Sequence, residues 1–472
     1  MSDFGLTLEN HYARLGEGFF THLPAEAIGS PRLIHANADA ARLIDLDPAV
    51  FSDPRFAQAM GGHLPLTGFK PLAMAYSGHQ FGVWAGQLGD GRALLVGQAR
   101  NARGELWDIQ LKGAGKTPYS RFGDGRAVMR STIREYLASA ALAALDIPTS
   151  RALSIVATGE QVVRETLEPG AVLARLAPSH VRFGHFEHVF HHGQKEKVRV
   201  LADHVIGEYF PDLAGDYAAW FGEVVRRTAH LVAAWQAVGF AHGVMNTDNM
   251  SILGLTIDYG PYGFMDAYDP WFICNHSDEQ GRYAFANQPA VALWNLRALA
   301  LTLSELVGTE ALLDALNDFE RHFGAAYRAR MRARLGLARD EEGDDKLVGD
   351  LLALMARARA DYSLGFLHLT DEGAWLNLFG EMAEDASAWL ARWQARTKDE
   401  DLSGLARVNP RYVLRNWVAE TAIRAVEDKN DIATLDQIFN LVRAPFTKND
   451  GGEAFAAPPP SSMCDLEVSC SS

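Results

Sequence analysis

The stretch from His242 to Gly260 constrains this 472-residue chain more than any other part of it. It contains a histidine, then Asn249, and then the triplet Asp258-Tyr-Gly. The amide oxygen of asparagine and the carboxylate of aspartate are hard ligands that suit Mg²⁺ or Mn²⁺ bound to phosphate oxygens. The stretch therefore predicts a loop in which Asn249 and Asp258 hold a metal ion beside a nucleotide.

The spacing of these residues is that of a protein-kinase active site. There, His-x-Asp-x-x-x-x-Asn supplies a base and one metal ligand, and a later Asp-Phe-Gly supplies the second ligand. Here Val244 occupies the base position, and valine cannot accept a proton. A carboxylate stands instead at Asp248, which we interpret as a relocated base; the alternative is that its side chain hydrogen-bonds the loop backbone. The pattern indicates nucleotide binding without ordinary phosphoryl transfer.

A glycine-rich segment, Gly86 to Arg92, lies between two predicted strands. Gly89 and Gly91 would let backbone amides approach a phosphate chain. The alternative is a plain hairpin turn, because Asp90-Gly91 is a favourable turn pair. The residues that follow favour the first interpretation.

Two charged residues follow the glycine-rich segment in the order found in kinases. Lys112 ends a predicted strand and Glu135 lies on the next predicted helix, as do the kinase lysine and glutamate that pair to hold phosphates. Each alone would pass for a surface residue. Their order relative to Asn249 and Asp258 is what indicates a nucleotide site.

Arginines and histidines between residues 175 and 192 offer further candidates. Arg175 and Arg182 could clamp phosphate oxygens as bidentate donors, although sequence alone would make them surface arginines. The histidines at 185, 188, 191 and 192 suit no single face and lack accompanying thiols or carboxylates. We therefore expect a solvated loop or strand edge there rather than a metal site.

The secondary-structure pattern changes near residue 200 and predicts an α+β, protein-kinase-like bilobal fold. Short apolar runs at 81–84, 93–96, 107–111, 153–157 and 171–176 predict strands, and 126–145 predicts a helix. From 201 onward the apolar spacing is helical. We expect a mixed α/β N-lobe at 1–200, whose first 75 residues form an extension, and a mainly helical C-lobe at 201–445. The Gly-, Pro- and Ser-rich residues 446–472 predict a flexible tail.

Composition narrows the class of protein. The net charge of -15 argues against nucleic acid as the main partner. No signal peptide is visible, and no apolar run is long enough to span a bilayer. Three cysteines are too few for a secreted disulfide framework. We expect a cytoplasmic protein with neither nucleic acid nor membrane as a partner.

Three segments carry a resemblance to a known family: Tyr76-Ser-Gly-His-Gln-Phe-Gly82, residues 110–126 and His242-Gly-Val-Met-Asn-Thr-Asp-Asn-Met-Ser-Ile-Leu253. With them the sequence closely resembles the selenoprotein O family of protein adenylyltransferases, which have a pseudokinase fold. The terminal Cys470-Ser-Ser is also similar to the family's ending. The resemblance covers nearly the whole chain and implies transfer of AMP from ATP to Ser, Thr or Tyr hydroxyls of proteins, with ATP inverted relative to kinases.

The resemblance also assigns roles to residues of this chain. Glu135 would pair with Lys112, and Asp248 would accept the proton of the acceptor hydroxyl. Asn249 and Asp258 would bind Mg²⁺ or Mn²⁺. The residues that it implies contact the nucleotide are Gly89, Gly91, Arg92, Lys112, Asp124, Gly125, Arg175, Arg182 and Asp258.

Some alternatives stay open at this point. A disulfide between Cys274 and Cys470 could gate the site under oxidation, and two free thiols are an equally good interpretation. UTP could serve as a donor beside ATP. Two other functions fit the motifs: a kinase that uses Asp248 as its base, and a non-catalytic nucleotide-binding scaffold.

Overall fold

The computed structural model describes residues 4–26, 29–464, 466 and 468. The strands are β1 (Leu8–Glu9), β2 (Phe20–His22), β3 (Arg32–Ala36), β4 (Leu72–Met74), β5 (His79–Gln80), β6 (Val83–Trp84), β7 (Ala93–Arg100), β8 (Leu106–Lys112), β9 (Ala127–Val128), β10 (Arg151–Val163), β11 (Leu167–Ala177), β12 (Phe240–Ala241) and β13 (Gly263–Phe264).

The α-helices are α1 (Ala38–Arg42), α2 (Pro54–Met60), α3 (Met129–Ala144), α4 (Phe183–His191), α5 (Glu196–Tyr209), α6 (Tyr217–Val238), α7 (Gln288–Thr302), α8 (Thr309–Asn317), α9 (Phe319–Leu335), α10 (Asp344–Ala358), α11 (Tyr362–Leu367), α12 (Glu372–Asn377), α13 (Ala383–Arg396), α14 (Asn416–Lys429) and α15 (Ile432–Arg443). Short 3₁₀ turns lie between several of these strands and helices, and one of them, Thr247–Asn249, lies between β12 and β13.

A large antiparallel sheet forms the first part of the molecule. Its strands run in the order β2-β4-β7-β8-β11-β10-β3, with β1 paired to β7 and β9 paired to β11. On β8 and β11, Gln110 lies opposite Arg175 and Lys112 opposite Leu173. Opposite residues share a face of the sheet, and so do residues two apart on one strand. Gln110, Lys112 and Arg175 therefore project from the same face.

The two faces of the sheet are covered differently. One face packs on α1 and α2, where Ile109 and Leu111 of the sheet meet Ile44 and Phe56. The other face packs on α3 and belongs to the larger core that continues into α4, α5 and α6. The polar residues of β8 and β11 lie at the edge of this second core. They consequently face the helical part of the chain.

Helices dominate the chain from residue 183 onward. The long helix α6 is central, and its Trp220 and Trp235 are fully buried. A separate core around α9, α10 and α13 contains the buried side chains of Trp375, Trp389 and Trp393. The last helices return to α3, where Phe439 stacks on Tyr136 with ring centroids 5.2 Å apart. The helix that carries Glu135 is thus packed from two sides.

The structure confirms a mixed α/β protein with a large antiparallel sheet and many helices. The kinase-like bilobal arrangement and its domain boundaries stay predictions. The predicted helix begins at Met129 rather than residue 126, because Ala127 and Val128 first pair with β11.

Two sequence predictions of local structure are wrong in part. Of residues 81–84, Val83 and Trp84 form β6, but Phe81 and Gly82 have φ of 52° and 81° and form the turn of a hairpin between β5 and β6. Two central residues with positive φ are typical of the turns that match the twist of a hairpin. The helical part also begins before residue 201, since 183–191 and 196–209 are the helices α4 and α5.

The segment after α15 packs against the helices. Phe455 stacks on Trp417 with ring centroids 5.9 Å apart and an interplanar angle of 13°. How mobile residues 446–472 are stays a prediction. Among the helices of the described residues, none is both long enough and apolar enough to cross a bilayer.

Candidate functional site

A cleft of about 850 Å³ brings most of the predicted site residues together. Its walls come from the loops around 89–92 and 119–126, from β8 and β11, and from the stretch 244–261. The predicted site residues that line it are Gly89, Gly91, Arg92, Lys112, Asp124, Gly125, Arg175, Asp248, Asn249 and Asp258. Glu135 and Arg182 lie beneath this lining, 3% and 1% exposed.

Five charged residues form a continuous network at the floor of the cleft. Lys112 Nζ donates to Glu135 Oε2, and Arg175 Nη1 lies 2.8 Å from Glu135 Oε1. The same Arg175 nitrogen lies 2.6 Å from Asp258 Oδ1. Arg182 Nη1 donates to the other oxygen, Asp258 Oδ2. Three cations and two carboxylates alternate in a buried chain, so the charge of each depends on its neighbours.

The charge state of Asp258 follows from this network. Burial alone would raise the pKa of its carboxyl, but Arg175 and Arg182 hold that pKa well below its usual range. The pKa of Glu135 is also lowered: burial would raise it, but the charges of Lys112 and Arg175 outweigh that effect. Both carboxylates are therefore ionised at neutral pH. Asp258 also has φ of 52°, an uncommon backbone conformation for a non-glycine residue.

The loop that carries the predicted metal ligand is fixed by hydrogen bonds from within the motif. His242 Nε2 lies 3.0 Å from the carbonyl oxygen of Ile257, and its Nδ1 accepts from the Val244 amide at 3.3 Å. Burial lowers the pKa of His242 to about 4, so the ring is neutral. Asn249 Nδ2 donates to the Val244 carbonyl oxygen at 3.0 Å. Val244 thus holds the loop through its backbone.

Asp248 is buried but borders the cleft. Its Oδ2 accepts from Gln80 Nε2 at 3.2 Å, whereas its Oδ1 is buried with no hydrogen-bond partner among the described residues. Arg182 Nη1 lies 2.9 Å from the Asp248 carbonyl oxygen rather than the carboxylate. Burial raises the pKa of the Asp248 carboxyl to about 7, while Arg182 and Gln80 oppose the rise. This is a carboxyl that can exchange a proton near neutral pH.

The donor set at 249 and 258 fits a divalent cation shared with phosphates. Asn249 lines the cleft, and because its Nδ2 is engaged by Val244, its amide oxygen is left for a cation. Each Asp258 oxygen has a second lone pair beside the one that its arginine occupies. Within the described residues, no group of three or more His, Cys, Asp and Glu side chains is arranged to hold a metal. Two oxygen ligands and a nucleotide match the way Mg²⁺ is usually held.

The glycine-rich segment packs tightly on the loop opposite. A Cβ at Gly89 would lie 2.6 Å from the Tyr119 ring, and one at Gly91 would lie 3.0 Å from the Tyr119 carbonyl oxygen. These glycines are therefore required by the close approach of two loops, whatever else they bind. The neighbouring Arg92 has no side-chain hydrogen bond with the described residues, so its guanidinium is available at the cleft wall.

Asp124 is held in place from the hairpin between β10 and β11. Arg164 Nη1 lies 2.8 Å from Asp124 Oδ2, and the Arg126 amide donates to Asp124 Oδ1 at 2.9 Å. Although burial opposes it, the Arg164 hydrogen bond lowers the pKa of Asp124. The contact closes this side of the cleft.

The histidine-rich segment is neither a loop nor a strand edge, so that expectation is wrong. It is helix α4, in which Phe183, Phe186 and Val189 face the core. His185 and His188 are buried as well, and His188 Nδ1 lies 2.8 Å from Ser77 Oγ. The helix was not predicted because the histidines interrupt the helical spacing of the apolar residues.

The predicted redox pair can be followed only in part. Cys274 is buried, and its Sγ lies 3.5 Å from the carbonyl oxygen of Ala241, the residue before His242. Cys470 lies outside the described residues. A bond between them stays a prediction.

Several contacts at the site involve residues to which the sequence assigned no role. Gln80 donates to Asp248, and Gln110 Oε1 accepts from Arg175 Nε at 2.7 Å. The Arg182 guanidinium lies over the Tyr76 ring, 4.7 Å from its centroid. All three belong to motif segments quoted for the family resemblance, which was the signal that could have found them.

Comparisons with known proteins agree on one family. A family model described as "Protein adenylyltransferase SelO" matches residues 3–443. The chain is 50% identical over 485 residues to "Protein nucleotidyltransferase YdiU" of Bordetella avium (strain 197N), which covers 99% of this chain and 98% of the relative. It is 49% identical over 483 residues to the protein of the same name from Myxococcus xanthus (strain DK1622), with 99% of each chain covered.

Proposed function

Because the chain belongs to the family described as protein adenylyltransferase SelO and is a protein nucleotidyltransferase, we propose that it transfers AMP from ATP to Ser, Thr or Tyr hydroxyls of other proteins. The observation that carries the proposal is the set of side chains that line one cleft. A carboxyl that titrates near neutral pH, Asp248, shares it with the predicted metal ligands and with Lys112 and Arg175. That set has both an acceptor for a proton and cations for a polyphosphate.

The nucleotide would be held by the floor and the loops of the cleft. Lys112, Arg175 and Arg182 would bind phosphate oxygens, with Arg92 as a further donor and Glu135 keeping Lys112 in place. Arg182 Nη2 is buried without a hydrogen-bond partner among the described residues, which supports an unfilled role for that group. The resemblance to the family favours an inverted nucleotide, with the γ end held by Arg175 and Arg182 and the α-phosphate towards Asp248.

Asp248 would act as the general base. The acceptor hydroxyl gives its proton to an Asp248 oxygen. The hydroxyl oxygen then forms a bond to the α-phosphorus of ATP, and the bond from that phosphorus to pyrophosphate breaks. We assign the role of proton acceptor to Asp248 Oδ2, because Asp248 lines the cleft and its Oδ1 is buried. The cationic side chains at the floor would offset the charge on the departing pyrophosphate.

Asn249 and Asp258 would hold the metal, which we propose to be Mg²⁺ or Mn²⁺. When bound, such an ion supplies positive charge to the phosphate oxygens. The chain's own contribution is to orient the two ligands, through Val244 for Asn249 and through the two arginines for Asp258. We further propose the kinase-like arrangement of two lobes about this cleft, and a cytoplasmic location, which the low cysteine content favours.

The test compares the two ends of the triphosphate. Purified protein, Mg²⁺ or Mn²⁺ and a protein lysate are incubated with ATP labelled at either the α- or the γ-phosphate. The expected result is label on protein from the α-phosphate alone, lost in Asp258→Ala and kept in Asp385→Ala, whose aspartate is exposed on α13. α-Labelled UTP in parallel reports whether UMP is also transferred.

Each other outcome points to a different function. Label from the γ-phosphate alone would make the protein a kinase that uses Asp248 as its base. Label from neither phosphate would overturn the proposal and leave a nucleotide-binding scaffold.

A further inference from the structure

The motif segment Tyr76 to Gly82 has no role in the function proposed above, yet it lies directly on the loop 246–249, here called the catalytic loop because it carries Asp248 and Asn249. The His79 amide donates to Thr247 Oγ1 at 2.7 Å, and the Phe81 amide donates to Asn246 Oδ1 at 3.1 Å. Between these two bonds, Gln80 Nε2 donates to Asp248 Oδ2 at 3.2 Å. Three successive residues of the segment thus contact three successive residues of the loop.

The approach of the two segments depends on glycines. A Cβ at Gly78 would lie 2.8 Å from Asp248 Oδ1, and one at Gly184, the second residue of α4, would collide with the Ser77 carbonyl oxygen. The Ser77 amide donates to the Gly184 carbonyl oxygen at 3.1 Å. The segment is therefore clamped between α4 and the catalytic loop. Its backbone is thereby fixed beside Asp248.

This packing gives the two carboxylate oxygens of Asp248 different surroundings. Oδ1 is pressed against Gly78 and has no hydrogen-bond partner among the described residues. Oδ2 receives one hydrogen bond from Gln80, which is half-buried and lines the cleft as Asp248 does. Gln80 is the one side chain of the described part of the chain that donates to this carboxylate. A carboxylate oxygen has a second lone pair, so Oδ2 can accept from Gln80 and from an acceptor hydroxyl together.

We propose that Gln80 is a positioning residue that holds the Asp248 carboxylate with Oδ2 towards the acceptor hydroxyl. The proposal rests on the proposed function, in which Asp248 is the base. Without the amide of Gln80, the carboxylate would be free to rotate about its Cα–Cβ and Cβ–Cγ bonds, and its ionised form would lose a hydrogen bond in a buried setting. Both effects would slow proton transfer without changing the nucleotide contacts.

Other charged and titratable groups also face Asp248, and they stay in place when Gln80 is changed. Arg182 favours the ionised carboxylate, whereas Asp258 disfavours it. The phenols of Tyr76 and Tyr283 interact with it as well. A change confined to Gln80 therefore isolates the contribution of one hydrogen bond.

The first experiment measures catalysis. Gln80→Met removes the donor at similar size, and Gln80→Glu replaces it with a carboxylate. The matched control is Gln58→Met, an exposed residue of α2. We expect kcat to fall about 10- to 100-fold in both Gln80 variants. We also expect the acid limb of the pH profile to move to higher pH, with the Kd of ATP unchanged.

A second experiment does not depend on activity. If the Gln80 amide holds the Asp248 carboxylate, Gln80→Met should lower Tm in the unmodified protein. The loss should be smaller in the Asp248→Ala background, in which Gln80 has no acceptor left at this position. Gln80→Glu serves if Gln80→Met fails to fold.

The outcomes separate the two proposals. An unchanged kcat, together with a Tm loss that is equal in the two backgrounds, would overturn the role of Gln80. Absence of AMP-protein product in the unmodified protein would overturn the proposed function. The Tm comparison would then still decide whether Gln80 holds Asp248.

Discussion

Arg175 Nη1 lies 2.6 Å from Asp258 Oδ1, so a residue predicted to hold phosphate is bonded to one predicted to hold a metal. The same nitrogen lies 2.8 Å from Glu135 Oε1. A single buried guanidinium therefore joins the helix α3, the strand β11 and the Asp-Tyr-Gly turn. In a buried network each charge is tolerated because the opposite charges flank it.

Loss of Arg175 should therefore destabilise the fold as well as the site. Arg175→Gln leaves Glu135 and Asp258 with fewer cations, and breaking a buried pair in this way typically costs about 3 kcal/mol or more. Urea denaturation of the purified variant measures the loss. Arg357→Gln is the matched control, because Arg357 pairs with Asp385 on the exposed surface and should change stability by less than about 1 kcal/mol. Equal losses in the two variants would contradict a central role for Arg175.

The metal site gives a second prediction. Asn249→Ala removes one of the two proposed oxygen ligands, so Mn²⁺ should bind about ten-fold more weakly or worse in the presence of ATP. Electron paramagnetic resonance of free Mn²⁺ reports this without relying on turnover. Asn440→Ala, on α15 and away from the cleft, should bind Mn²⁺ as the unmodified protein does. Unchanged affinity in Asn249→Ala would remove Asn249 from the proposed ligand set.

The parts of the site that the sequence predicted are those in which residue type and order carry the signal. Lys112 and Glu135 are bonded to each other, as their order on a strand and the next helix implied. Asn249 and Asp258 line one cleft, as their spacing in the motif implied. For these residues the local pattern and the chemistry point the same way.

The parts that the sequence missed depend on contacts between distant segments. Gln80 reaches Asp248 because Gly78 and Gly184 allow two loops to touch, and no local pattern shows which loops meet. The hairpin at 81–82 was missed because Phe81 adopts a positive φ that phenylalanine rarely has. Helix α4 was missed because its histidines interrupt the apolar spacing.

The pH dependence of turnover should report Asp248. A general base must be ionised to accept a proton, and burial raises the pKa of this carboxyl to about 7. We therefore expect kcat/KM to fall as the pH drops through about 7. His242 cannot produce this limb, since burial lowers its pKa to about 4. A rate that stays constant from pH 8 down to pH 5 would exclude Asp248 as the base.

The ionised carboxylate of Asp248 should also lower the stability of the folded protein. Its pKa is raised in the folded protein from the ordinary value of 3.8 to about 7, chiefly by burial. Between these two values the unfolded chain releases the proton more readily than the folded one. The carboxyl's contribution to stability is therefore fully present below pH 3.8 and is lost as the pH rises through about 7.

Asp248→Asn should consequently abolish transfer and yet raise the free energy of unfolding above pH 7, by no more than about 4 kcal/mol. Near pH 4 the gain should disappear, because the carboxyl of the unmodified protein is then protonated in the folded state. Thermal or urea unfolding at the two pH values measures the difference. Asp385→Asn, at an exposed position, should show no such pH-dependent gain. A gain of equal size at both pH values would mean that the amide packs better than the carboxyl and that burial of a charge is not the cause.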